Sequence, residues 1–137
     1  MRKLVRCFWG FAFILLVGCS TVTKEPLPTF EVQTSSERAI AALASEAVNR
    51  GYIVADETPH TLTLQKIQDA SEILSGRNLK VFFQISVAGD NPATITGRVY
   101  ASFGVGLGGQ RELDITHRER ERDMLLTLVK GAIERLR

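Results

Sequence analysis

Between Leu79 and Phe103 apolar and polar residues alternate over two long runs. Leu79, Val81, Phe83, Ile85 and Val87 alternate with Lys80, Phe82, Gln84 and Ser86. After Gly89-Asp90-Asn91-Pro92, Ile95, Val99, Ala101 and Phe103 alternate with Thr94, Thr96, Arg98, Tyr100 and Ser102. A period of two sends successive side chains to opposite faces of a sheet, and a turn cluster between two such runs predicts a β-hairpin. Both apolar sets are odd-numbered, so antiparallel partners must sum to an even number. An odd sum would turn one apolar face to water. A sum of 182 leaves the five-residue loop Gly89–Ala93 and sets Phe82 opposite Tyr100 and Gln84 opposite Arg98, away from the apolar face.

Helical spacing governs the flanks. Ile40, Leu43, Ala44, Ala47 and Val48 share one helical face, which predicts a helix from about Ser35 to Arg50. Thr34-Ser35-Ser36-Glu37 opens it as a capping box, with Thr34 as the cap, and Gly51 closes it. Leu125, Leu128, Val129, Ala132, Ile133 and Leu136 form the stripe of a second helix, from about His117 to Leu136. Thr116 to Glu119 form its capping box, and the stripe-free turns His117–Asp123 are expected to project into water. Tyr52–Asp56 and His60–Lys66 read as strands, Asp69-Ala70-Ser71-Glu72 opens either a short helical segment over Ala70–Ser75 or a plain loop, and Gly104–Gly109 reads as a glycine-rich connection. The order α-β-β-β-β-α, with one apolar face per strand, predicts an α+β fold. It is a two-layer sandwich of a mostly antiparallel four-stranded sheet with two main helices on one face. Residues 33–137 form a single domain in this reading.

The first 19 residues follow a different pattern. Arg2, Lys3 and Arg6 precede an apolar run of 10 residues, Phe8–Val17, too short for a typical membrane-spanning helix. Leu16-Val17-Gly18-Cys19 closes the run. This segment resembles the signal peptide and lipobox of bacterial lipoproteins. The resemblance implies that residues 1–18 are removed and that Cys19 becomes a lipid-bearing N-terminus, carrying diacylglycerol and an amide-linked fatty acid such as palmitate. Several acyl chains hold a protein far better than one, since each buried CH₂ contributes about 0.8 kcal/mol. Ser20, where an Asp would favour the inner membrane, implies an address at the outer membrane facing the periplasm. Residues 19–32, with Pro26 and Pro28 among small polar residues, read as an extended tether, at whose end Phe30 and Val32 can already pack on the domain.

Processing changes the composition that matters. Loss of Arg2, Lys3 and Arg6 takes the 17 basic residues to 14, against 15 acidic, so the mature net charge is −1. The compositional support for nucleic-acid binding goes with them. Of the two cysteines, Cys7 leaves with the signal and Cys19 is acylated, so stability must come from packing without a disulfide.

Candidate chemistry is sparse. Gly104, Gly106 and Gly109 spell a G-x-G-x-x-G, but no strand follows the next helix and that helix starts too late for a dinucleotide site. His60 with Asp56 and Glu57, and His117 with Asp114 and Glu121, lack metal-ligand spacing, and no serine sits in a nucleophile elbow. The reading is therefore non-enzymatic, with no cofactor and no metal. Charges of both signs alternate from Arg118 to Asp123, which reads as a solvated helix end. Two features remain as candidates for contact with a partner: Phe82 and Tyr100 with Arg98 and Gln84 on the open sheet face, and Val105 and Leu107 in the glycine segment. The expected role is an accessory domain in the cell envelope, held at the membrane through Cys19 and binding another envelope protein. The alternative is a small-ligand or lipid-binding module with a cavity between sheet and helices. In cells grown with labelled palmitate, the wild-type chain should take up label, and Cys19→Ala should lose both the label and the membrane association.

Overall fold

A computed structural model describes residues 28–68, 79–105 and 107–137. Cys19 and the segment Ala70–Ser75 lie outside the described residues. The elements in chain order are β1 (Thr29–Val32), α1 (Ser36–Asn49), β2 (Ile53–Glu57), β3 (Thr61–Gln65), β4 (Leu79–Ala88), β5 (Ala93–Val105), β6 (Gly109–Asp114) and α2 (Glu119–Arg135). Among the described residues the strands form one antiparallel sheet in the order β1-β5-β4-β3-β2, with β6 also pairing β5. The fold is α+β, and both helices pack on one face.

The β4–β5 hairpin has the register that its apolar parity demands. Phe82 pairs with Tyr100, Gln84 with Arg98 and Ala88 with Thr94. The odd-numbered side chains Phe83, Ile85, Val87, Ile95, Val99 and Ala101 are buried against Leu43 and Ala47 of α1 and Leu125, Leu128 and Val129 of α2. Full burial of each large apolar side chain contributes roughly 1.5–3 kcal/mol. Gly97 is the one inward position on β5 without a side chain, and it lets α2 descend onto the sheet. A Cβ there would lie 2.8 Å from Leu125 Cδ1. At the other helix contact, Gly131 leaves room for Glu46, whose carboxylate meets Arg50 Nε at 2.6 Å and Arg135 Nε at 2.5 Å. Hydrogen bonds from Arg135, then Arg50, hold the Glu46 pKa below its ordinary value.

Four expectations are corrected. The sheet has six strands among the described residues rather than four. One of the additional strands is β1, which takes Thr29–Val32 out of the tether expected over 19–32: Phe30 and Val32 turn inward beside Ile95 and Ala93 and pack against the core. The other is β6, which with β5 turns the supposed glycine-rich connection into a hairpin, Gly104 pairing with Gln110 and Val105 with Gly109.

The two remaining corrections concern helix caps. The cap of α1 is Ser35, whose hydroxyl accepts from Arg38 N–H at 3.3 Å, not Thr34. The β4–β5 loop holds this start in place: Ser36 N–H donates to Asp90 Oδ1 at 2.7 Å and Asn91 N–H to the Thr34 carbonyl at 2.9 Å. The second helix begins at Glu119 rather than His117, with Arg118 at the cap position and no side-chain capping bond. Thr116 is buried and already engaged elsewhere. Its hydroxyl accepts from Val99 N–H at 2.8 Å and lies 2.6 Å from Asp114 Oδ1, to which it donates.

Gly97→Val should therefore push α2 off the sheet and destabilise the domain by about 1–3 kcal/mol, the usual cost of overpacking a filled core. Urea denaturation would read this as a lower midpoint with an unchanged slope.

Candidate functional site

The sheet has one face under the helices and one face that no described helix covers. Register builds the uncovered face row by row. One row crosses the sheet from Ile53 on β2 through Gln65, Phe82 and Tyr100 to Asp114 on β6. The next contains Thr63, Gln84 and Arg98. Thr61, Ser86, Thr96 and Thr29 flank it on one side, and Lys80, Ser102 and Glu112 flank the aromatic row on the other. Hydroxyl residues thus flank the two aromatics and Arg98, with Lys80 and Glu112 on one side.

Four of the six candidate contact residues come together here. The Phe82 and Tyr100 rings stack with centroids 5.3 Å apart and planes inclined by 18°. The Arg98 guanidinium carbon lies 5.1 Å from the Tyr100 ring centroid, a cation–π distance. Arg98 Nε donates to Gln84 Oε1 at 2.5 Å, which fixes the guanidinium beside the ring. All four side chains are half-buried. Tyr100 is therefore enclosed by Phe82 and Arg98, and its hydroxyl pKa is raised, chiefly by burial, with Glu112 adding to the shift and Arg98 opposing it. Its phenol is a neutral hydrogen-bonding group at physiological pH. At the end of the row, hydrogen bonds from Thr116 lower the pKa of Asp114.

Val105 and Leu107 lie apart from this cluster. Val105 is the last residue of β5, placed by its backbone pairing with Gly109. Leu107 is fully exposed, with φ at 20° beside Gly108 at 83°, in the turn between β5 and β6. The strand assignment of Gly104 and Gly109 leaves the G-x-G-x-x-G pattern away from the start of α2.

Anchored aromatics with a positioned Arg are common at the centres of protein interfaces. His60 is exposed near the β2–β3 turn, and His117 follows the buried pair Ile115 and Thr116. Among the described residues no group of three or more His, Cys, Asp or Glu side chains gathers in metal-binding proximity. Gln65 and Asp114 complete the aromatic row and were not among the expected contact residues. The outward position of Gln65 follows from its alternation with Leu62 and Leu64, whereas that of Asp114 depends on the β5–β6 pairing.

No protein-family model matches the chain, and no curated protein matches it.

A double-mutant cycle on Phe82→Ala and Tyr100→Ala should return a coupling of about 0.5–1.5 kcal/mol for the stacked pair. Chemical denaturation of the wild type, both single variants and the double variant measures it.

Proposed function

We propose that this chain is a lipid-anchored, non-enzymatic accessory protein of the bacterial cell envelope, held at the outer membrane through Cys19 and docking another envelope protein on its open sheet face. The observation that carries the docking is the Phe82–Tyr100 stack with Arg98 held between Tyr100 and Gln84. A stacked pair would stabilise a hairpin without the cation. Fixing a guanidinium beside it removes rotamer freedom before a partner arrives, and such preorganisation strengthens binding. The lipobox supplies the address, and the surrounding hydroxyl residues supply an adaptable polar rim.

Packing favours this reading over a ligand cavity between sheet and helices. The small residues that would leave room are occupied by neighbours: Leu125 fills the space over Gly97, and Glu46 with Arg50 fills the space over Gly131. Ala39, Ala47 and Ala132 are buried within the same core cluster.

A photo-crosslinking residue placed at Gln84 in intact cells should join the chain to one envelope protein. The same residue at Glu134, on the exposed side of α2, should not. Phe82→Thr/Tyr100→Thr should abolish the crosslink while the melting temperature falls by only a few degrees. Equal crosslinking from both positions, or a loss that follows unfolding alone, would refute the docking face.

A further inference from the structure

The most exposed large apolar side chain among the described residues, Leu107, stands at one end of the sheet. Val48, Ile53, Ile67, Leu107 and Leu113 are the large apolar residues that stand out to solvent among the described residues. The strand pairings locate four of them along the sheet. Ile53 pairs with Gln65, which is level with Phe82 and Tyr100, and Ile67 follows two residues beyond Gln65. Leu113 pairs with Ala101, and Leu107 lies past Val105 in the β5–β6 turn. Val48 sits in the last turn of α1, beside the Ala47 carbonyl that accepts from Tyr52 N–H just before β2. Leu107 stands in the β5–β6 turn and Ile67 lies beyond the end of β3 towards it, whereas Ile53 and Leu113 are level with Tyr100 and Ala101, midway along β5. The opposite end is polar, with Glu57, Thr58 and His60 near the β2–β3 turn and Asp90 and Asn91 in the β4–β5 loop.

The chain also enters the domain facing that apolar end. Thr29 pairs with Thr96 and Val32 with Ala93, so β1 traced from Val32 back to Thr29 runs in the direction of β5 towards Val105. The reach is sufficient. Ten residue steps from Cys19 to Thr29 span at most about 35 Å. The nine steps of β5 from Thr96 to Val105 cover about 30 Å. An anchor at Cys19 therefore permits the β5–β6 turn to touch the surface that holds the lipid. Lys80 and Arg111 are exposed at the same end, where anionic headgroups would attract them.

We infer that the β5–β6 end of the sheet is a second, apolar contact with the bilayer, in which Leu107 enters the interface and the sheet stands on the membrane. The inference rests on the lipid anchor proposed above and extends it from a point of attachment to a fixed orientation. In this pose the sheet axis rises from the bilayer, and the Phe82–Tyr100 face looks sideways along the membrane surface.

The sequence provides a clean reporter. Its single tryptophan, Trp9, belongs to the segment that processing removes. Leu107→Trp and His60→Trp, at opposite ends of the sheet, would each give a mature protein with one tryptophan. Both are purified in lipidated form and reconstituted into phosphatidylethanolamine–phosphatidylglycerol vesicles, with and without lipids brominated on the acyl chains. Leu107→Trp should show blue-shifted emission and several-fold stronger quenching by brominated lipid than His60→Trp. Ile67→Trp provides a second reporter at the same end if circular dichroism shows that Leu107→Trp fails to fold. Solvent-like emission and equal quenching at both ends in a protein whose Cys19 acylation is verified by mass spectrometry would overturn this inference alone. Absence of acyl chains at Cys19 in the wild-type protein would overturn the anchor and this inference together.

Discussion

The pairing of β4 with β5 is the constraint on which the rest of this domain depends. Each strand carries its apolar residues on one parity, so only one family of registers buries both sets. With Phe82 opposite Tyr100, the inner residues form a surface that two helices can cover, and the outer residues form a face with its own chemistry. The later additions build on this hairpin. β3 and then β2 extend it beyond β4, β1 and β6 share the other side of β5, and Leu125 of α2 sits over the gap at Gly97. A slip of one residue would bury Arg98 and expose Val99, and no other element would find its partner.

What was legible in the residues follows the same logic. The hairpin, its register, both helices and the outward aromatic cluster are written in periodicity, because each has one wet face and one dry face. β6 has no such signature: all six of its residues are exposed, so burial imposes no alternation on Gly109–Asp114. β1 is short and follows a proline-rich stretch, and only the open side of β5 makes it a strand. The caps shifted for a different reason. The Thr116 hydroxyl is claimed first by the backbone of Val99, whereas the Thr34 hydroxyl is buried without a hydrogen-bond partner while its carbonyl accepts from Asn91 N–H in the β4–β5 loop.

The candidate site divides in the same way. Phe82, Tyr100, Gln84 and Arg98 could be grouped from parity alone, since directly opposed residues in a sheet are neighbours. The approach of Ile67 to the β5–β6 turn that carries Leu107 could not be read that way, because it depends on strand order and direction. No pattern along the chain brings Asp114 level with Ile53.

The junction on the outer side of β5 has a mechanical meaning. β1 and β6 both pair with that side, and between them Thr116 occupies the Val99 backbone group that neither strand reaches. β1 lies antiparallel to β5, so a pull along its axis at Thr29 would load the β1–β5 hydrogen bonds in shear. Bonds loaded in shear resist together, whereas bonds at a peeled edge break singly, each in its turn. A four-residue strand at a sheet margin would thereby take such a load over all its hydrogen bonds at once.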